Sequence, residues 1–225
     1  NGQWNRSLLV GNELRDKVLG VVGLGKIGRE VIKRSLSYDM QILGYDPYVK
    51  KDQFNEEEVK IVELDYLVEN SDFITLHLPI NDNTRNLFDY NRINKMKKTS
   101  RLINVARGGI INEQDLAKSL NEDIIAGAAI DVFENEPISI ENDLIKAKNI
   151  LLTPHLGAST IEAKEGVTSS ICQQMIDYFN KNKLSNALNI PISDPALLSK
   201  LSSYYKLADL MGLLQSQLVG GAIEK

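Results

Sequence analysis

The chain has 225 residues, 43% of them hydrophobic, enough to bury one full core and part of a second, which excludes low-complexity disorder. Its net charge of -4 supplies no field that would hold a nucleic acid, and Lys and Arg are scattered among acidic residues without forming blocks. No apolar run reaches the roughly 20 residues that span a bilayer, so neither a nucleic-acid nor a membrane partner is expected, and no metal site is expected either.

The sequence opens Asn1-Gly2-Gln3-Trp4 without a methionine, so the natural start and any targeting peptide are expected upstream. From Lys17 to about His155, short apolar runs alternate with helical patterns, the βαβ rhythm of a parallel sheet covered on both faces. The pattern predicts strands over Val18 to Val22, Gln41 to Tyr45, Lys60 to Val62, Phe73 to Leu78, Arg101 to Val105, Ile124 to Ile130 and Ile150 to Leu152. Between them, Ile27 to Tyr38, Leu64 to Asn70, Tyr90 to Met96 and Glu113 to Asn121 read as crossover helices that need the sheet to stand.

After Pro154 the pattern changes to a long helical stretch, Ile161 to Asn182, then Asn186-Ala-Leu-Asn-Ile-Pro191, a second helix from about Pro195 to Leu218, and a Gly220-Gly221 turn signal. The single cysteine, Cys172, shares its helical spacing with Val167, Ile171, Met175 and Tyr178; it cannot pair within the chain, and a reducing, cytoplasmic setting is expected. The expected fold class is α/β, a doubly wound parallel sheet of Rossmann type, with a C-terminal helical extension leading into an incomplete second module.

Gly23, Gly25 and Gly28 stand at the end of the first strand and the start of the first helix, the dinucleotide fingerprint in the context it requires. Gly23 permits the tight turn, Gly25 lets backbone approach a pyrophosphate, and Gly28 allows helix to pack on strand. Lys26 adds a positive charge to the amides and dipole of the helix N-terminus. Asp46 ends the second strand about 20 residues on, where a carboxylate accepts both hydroxyls of an adenosine ribose and repels a 2'-phosphate. NAD is therefore expected over NADP, although a small-residue turn and a strand-ending Asp-Pro are the plain structural readings of the two signals.

Three polar segments follow later strands, where an open α/β sheet places its ligand crevice. Arg107 lies in Asn104-Val-Ala-Arg-Gly-Gly109, with glycines that would let a ligand come close; Glu136 lies in Asp131-Val-Phe-Glu-Asn-Glu-Pro137; His155 lies in Thr153-Pro-His-Leu-Gly-Ala158. Taken singly, they read as a surface cation, a surface acid and a satisfied histidine. Together they supply what a 2-hydroxy acid dehydrogenase requires: a cation for the carboxylate and carbonyl, an imidazole to exchange the hydroxyl proton, and a carboxylate to orient that imidazole.

The chain resembles the D-2-hydroxyacid dehydrogenases, and within them the long-form branch that acts on D-3-phosphoglycerate. The likeness rests on Gly20-Val-Val-Gly-Leu-Gly-Lys-Ile-Gly28, Gly44-Tyr-Asp-Pro47, His77-Leu-Pro79, Ile103-Asn-Val-Ala-Arg-Gly-Gly109, Ala128-Ala-Ile-Asp-Val-Phe133 with Glu136-Pro137, and Thr153-Pro-His-Leu-Gly-Ala-Ser-Thr160. It implies that Arg107, Glu136 and His155 form the catalytic set and that Asp46 holds the adenosine ribose. It also implies that Lys26 and Ile27 present backbone to the pyrophosphate, and that Leu78, Pro79, Val105 and Ala106 line the cofactor. Asp131 and the turn of His155, Leu156, Gly157 and Ala158 would lie near the nicotinamide carboxamide, with His77 structural.

The resemblance further implies a cofactor domain over 1–156, with 1–14 as lead-in from an upstream substrate domain of about a hundred residues. Residues 157–186 would be a helix returning to that domain, and 187–225 the truncated start of an additional domain. A small-molecule 2-hydroxy acid is the expected substrate and a homo-oligomer built through the cofactor domain the expected assembly. Turnover by this chain alone is not expected. Glyoxylate or lactate as substrate, and a non-enzymatic NAD-sensing protein like the corepressors that share this fold, are the alternatives.

Overall fold

A computed structural model describes residues 10–49, 53–181, 183, 185–186 and 195–218. Its centre is an all-parallel sheet of seven strands, β1 (Val18–Val22), β2 (Gln41–Tyr45), β3 (Val59–Ile61), β4 (Phe73–Leu76), β5 (Arg101–Asn104), β6 (Gly127–Ile130) and β7 (Ile150–Leu152), ordered β3-β2-β1-β4-β5-β6-β7. The order reverses beside β1, so a crevice opens between β1 and β4 at the carboxyl ends of the strands. Register makes those ends level: Val22 is opposite Tyr45 and Leu76, Leu76 opposite Asn104, Asn104 opposite Ile130, and Ile130 opposite Leu152. The loops leaving six strands therefore start from one rim.

Alternation along β1 shows why both faces need cover. Leu19 and Val21 join Ile32 of α1 (Lys26–Leu36) in one buried cluster. Val22 joins Leu64, Leu67 and Val68 of α2 (Leu64–Asn70) in the other. Gly20 faces α2, and a Cβ there would lie 2.4 Å from the Leu67 side chain, so only glycine admits the helix this closely. The second cluster continues through Ile93 of α3 (Tyr90–Ile93) and Leu116, Ala117 and Leu120 of α4 (Glu113–Asn121). Burying one such aliphatic side chain contributes about 1.5–3 kcal/mol. Asn112 caps α4 by accepting the Asp115 N–H at 3.0 Å, and Asp89 caps α3 by accepting the Arg92 N–H at 2.8 Å.

Some boundaries move for local reasons. The run Ile124 to Ala126, predicted as strand, is a connection: Asp123 turns in the left-handed region at φ 55° and Ile125 is buried outside the ladder. The predicted Phe73–Leu78 strand ends at Leu76, although the His77 N–H still donates to the Val22 carbonyl at 2.7 Å. The third helix stops at Ile93 under the Asn94 cap. A 3-10 helix at Asp143–Lys146, not anticipated from the sequence, lies between β6 and β7.

The chain divides into two compact units, Asn1–Ala158 and Ser159–Lys225. The second contains α5 (Ile161–Lys181), in which no residue is buried, and α6 (Pro195–Leu218). Residues 1–9 of the predicted lead-in, Ala187 to Pro191 and the Gly220-Gly221 turn lie outside the described residues. Among those described, no helix is long and apolar enough to cross a membrane.

Candidate active site

The glycine loop leaves β1 at the crevice. Gly23 sits at φ 99°, and an added Cβ would stand 2.4 Å from the His77 carbonyl oxygen; one at Gly28 would stand 2.1 Å from the Gly23 carbonyl oxygen. Both positions therefore exclude side chains because protein backbone fills the space. Gly25 differs, since a Cβ there would meet nothing within 4 Å, so its side of the loop is open. Gly25 is also the N-cap of α1 and no side chain caps that helix, which leaves first-turn amides at Lys26 and Ile27 free for an anion.

Asp46 makes hydrogen bonds that spacing alone did not disclose. Its Oδ2 accepts the Leu24 N–H at 2.9 Å and its Oδ1 accepts the Tyr48 N–H at 2.9 Å. The carboxylate braces the glycine loop from behind, and each oxygen keeps a lone pair for a ribose hydroxyl. Asp46, Pro47, Tyr48, Leu78, Pro79 and Thr84 border a cleft of about 310 Å³. Ile27, Val105 and Leu156, which follow β1, β5 and β7 on the common rim, are 67%, 44% and 48% exposed. An uncapped helix start, a carboxylate with spare acceptors, an apolar cleft and bare apolar groups on one rim fit a dinucleotide. A larger cavity of about 510 Å³ between Arg101, Gly127 and Leu151 lies on the sheet, contains none of these groups and offers no convergent polar set.

His155 and Glu136 meet. The imidazole Nδ1 lies 2.7 Å from Glu136 Oε2, while Oε1 of the same carboxylate accepts the Phe133 N–H at 2.9 Å and so fixes its direction. The hydrogen bond to His155, followed by that from Phe133, holds the Glu136 carboxyl below the usual carboxylate range. The side chains are 49% and 36% exposed, so a small molecule can reach them. With Nδ1 occupied, Nε2 is the nitrogen left for proton exchange.

His155 stands in the left-handed region at φ 53°, a conformation that costs a non-glycine residue on the order of 1 kcal/mol. Asp131, 4% exposed, holds this turn: it accepts Thr153 Oγ1 at 2.5 Å, the Leu156 N–H at 2.8 Å and the Gly157 N–H at 3.0 Å. Burial opposes its ionisation, but the Leu156, Thr153 and Gly157 donors outweigh that and its pKa is lowered. Asp131, expected beside the nicotinamide carboxamide, thus already has three protein donors. Ala158 is exposed next to the turn.

Arg107 is exposed, its Nη1 donating to the Ala106 carbonyl at 2.6 Å, and it makes no hydrogen bond to Glu136 or His155. The first glycine after it serves packing more than ligand approach, and the second, at φ 77°, serves the turn. A Cβ on Gly108 would stand 1.9 Å from the Phe133 carbonyl oxygen, so the Arg107 loop lies directly on the loop that carries Glu136. His77 is half-buried; burial lowers its pKa, and its Nε2 lies 3.1 Å from Thr75 Oγ1, in keeping with a structural role. Residues not singled out from the sequence include Asn104, whose buried amide braces the Arg107 loop, and Glu113, which accepts the Glu134 N–H at 2.7 Å.

The sequence pattern of the D-isomer specific 2-hydroxyacid dehydrogenase NAD binding domain matches residues 1–157. The chain belongs to this family. Its sheet unit is a Rossmann-type NAD-binding domain. The D-3-phosphoglycerate dehydrogenase of Synechocystis sp. is 42% identical over 223 residues, covering 99% of this chain and 40% of that protein. The glyoxylate reductase of Thermofilum pendens is 41% identical over 174 residues, 77% of this chain and 51% of that protein. Among solved structures, the NAD-dependent formate dehydrogenase from Staphylococcus aureus in complex with NAD superposes with a TM-score of 0.72 at 32% identity, over 82% of this chain and 56% of that one. The chain thus spans less than half the length of the phosphoglycerate dehydrogenase that it matches.

Proposed function

We propose that this chain is the cofactor-binding and proton-transferring part of an NAD-dependent enzyme that oxidises a D-2-hydroxy acid, with D-3-phosphoglycerate as the substrate and 3-phosphohydroxypyruvate as the product. The observation that carries the reading is the 2.7 Å His155–Glu136 pair on a rim that also bears Arg107 and the dinucleotide loop. Bound NAD would supply the hydride acceptor. His155 Nε2 takes the proton from the substrate 2-hydroxyl, Glu136 stabilises the imidazolium at Nδ1, and Arg107 orients the carboxylate and polarises the developing carbonyl. In the opposite direction His155 donates that proton.

Cofactor contacts are assigned to Gly23, Gly25, Lys26, Ile27 and Gly28 at the pyrophosphate, and to Asp46 at the ribose. Leu78, Pro79, Val105 and Ala106 are assigned along the body of the cofactor, and Asp131, His155, Leu156, Gly157 and Ala158 at its nicotinamide end. The choice of phosphoglycerate over glyoxylate is supported by extent of match: the phosphoglycerate dehydrogenase alignment runs through 223 residues, whereas that with glyoxylate reductase covers 174. Assembly as a homo-oligomer through the cofactor domain belongs to the same reading. The test is steady-state oxidation of a panel of D-2-hydroxy acids by the full-length protein. Preference for D-3-phosphoglycerate is expected; preference for another acid corrects the substrate, and turnover of none overturns the enzymatic reading in favour of an NAD-sensing protein.

A further inference from the structure

Two buried polar residues stand at the carboxyl ends of β5 and β6, Asn104 as the last residue of β5 and Asp131 just after β6. Asn104 is 2% exposed and Asp131 4% exposed, and the Asp131 N–H donates to the Asn104 carbonyl at 2.9 Å, a backbone bond just past the end of β6 that ties the two residues. A buried amide and a buried carboxylate are costly unless their hydrogen-bonding capacity is used. Each uses it on one loop. Asn104 Oδ1 accepts the Ala106 N–H at 3.0 Å and its Nδ2 donates to the Arg107 carbonyl at 2.9 Å, closing the loop that carries the arginine. Asp131 accepts Thr153 Oγ1 before His155 and the amides of Leu156 and Gly157 after it, while its own carbonyl accepts the His155 N–H at 2.9 Å, bracketing the histidine on both sides.

We propose that Asn104 and Asp131 are paired positioning residues, Asn104 setting Arg107 and Asp131 setting His155, so that the spacing of the substrate cation and the proton acceptor is fixed by two neighbouring strands. The claim rests on the roles proposed above for Arg107 and His155. Neither side chain need touch the substrate. A loop displacement of about an ångström is enough to lose a hundredfold in rate where reacting groups must be aligned. The adjacent contact of Gly108 with the Phe133 carbonyl supports the pairing, because it leaves the Arg107 loop no space to shift towards the loop of Glu136.

Because the two clamps grip different loops, their loss must leave different signatures. In full-length Asn104→Ala, amide hydrogen exchange should accelerate about tenfold at Ala106, the factor one ordinary hydrogen bond supplies, with Leu156 and Gly157 unchanged. KM for the hydroxy acid should rise by about ten- to a hundredfold, while the pH profile of kcat stays in place, because the proton-transferring pair is untouched. Asp131→Ala should accelerate exchange at Leu156 and Gly157 but not at Ala106, lower kcat more than it raises KM, and move the pH profile. Asn104→Asp keeps the acceptor for Ala106 but sets an oxygen against the Arg107 carbonyl. It should therefore keep Ala106 protected and still raise KM. Equal acceleration in both segments from either single change, or an unchanged KM in both Asn104 variants, would overturn the proposal. The exchange measurements stand apart from turnover, so a wild-type protein that oxidises no acid sinks the substrate reading without silencing them.

Discussion

For the proposed function, the two halves of the rim would use different parts of the chain. Around β1 and β2 the work falls on backbone: an uncapped helix start, a glycine face open to 4 Å, and two glycines whose missing Cβ atoms are replaced by carbonyls at 2.4 and 2.1 Å. Around β5, β6 and β7 it falls on side chains, with His155 and Glu136 2.7 Å apart and Asn104 and Asp131 holding their loops. A backbone site needs residues that are absent in the right places, and a side-chain site needs residues that converge. The first kind is disrupted by adding one methyl group, the second by removing one functional group.

The largest expected effect lies in the side-chain half. In the full-length protein, His155→Gln keeps similar bulk but removes the group that gains and loses a proton near neutral pH. Turnover should fall by about a hundredfold to ten-thousandfold, with NADH affinity changed much less in a calorimetric titration. Near-normal turnover would mean that the proton goes elsewhere. The mirror experiment is Gly28→Ala, whose Cβ must displace the Gly23 carbonyl. NADH affinity should drop on the order of tenfold or more, the equivalent of about 1.4 kcal/mol. Hydrogen exchange at Leu156 and Gly157 should stay as in the wild type. A Gly28→Ala protein that binds NADH normally would refute the close-packing account of the loop.

Asp46→Ala is expected to have a smaller effect and joins both kinds of site. It removes the acceptor for ribose hydroxyls and also the brace on the Leu24 N–H, so NADH binding should weaken. NADPH, which loses a repulsion at the same time, should weaken less, and the preference should narrow by several-fold, on the order of 1 kcal/mol. Parallel losses for the two cofactors would assign Asp46 to the brace alone.

Backbone sites are legible in a sequence because a glycine at a fixed offset from a strand end is itself the signal. The tight turn at Gly23 and the close packing at Gly28 are legible for that reason, and β1, β2, β7, α2 and α4 fall at their predicted bounds because apolar period and punctuation agree there. The pairing of Glu136 with His155 follows from motif order, but its 2.7 Å geometry depends on which strands are neighbours. Asn104 and Asp131 were harder to interpret. An asparagine before Val-Ala-Arg looks like any strand-ending polar residue until β6 is placed beside β5 and its amide is found buried. Likewise Gly108 invites a ligand in sequence and meets the Phe133 carbonyl in the fold. Ile124 and Ile125 read as strand because β-branched apolar residues do so when the left-handed turn at Asp123 is invisible.

If His155 and Glu136 act as one proton-transferring pair, the pH profile of kcat for full-length Glu136→Gln must register the loss of the carboxylate charge. The wild-type carboxylate is held below its usual range chiefly by the hydrogen bond to His155, followed by that from Phe133. In the oxidation direction the histidine must be neutral to accept a proton, so kcat rises as pH rises through its titration. A neutral amide offers no charge to balance an imidazolium formed in the reaction, so the rising limb of kcat should move to lower pH. A limb that stays in place, or moves to higher pH, would contradict the pair.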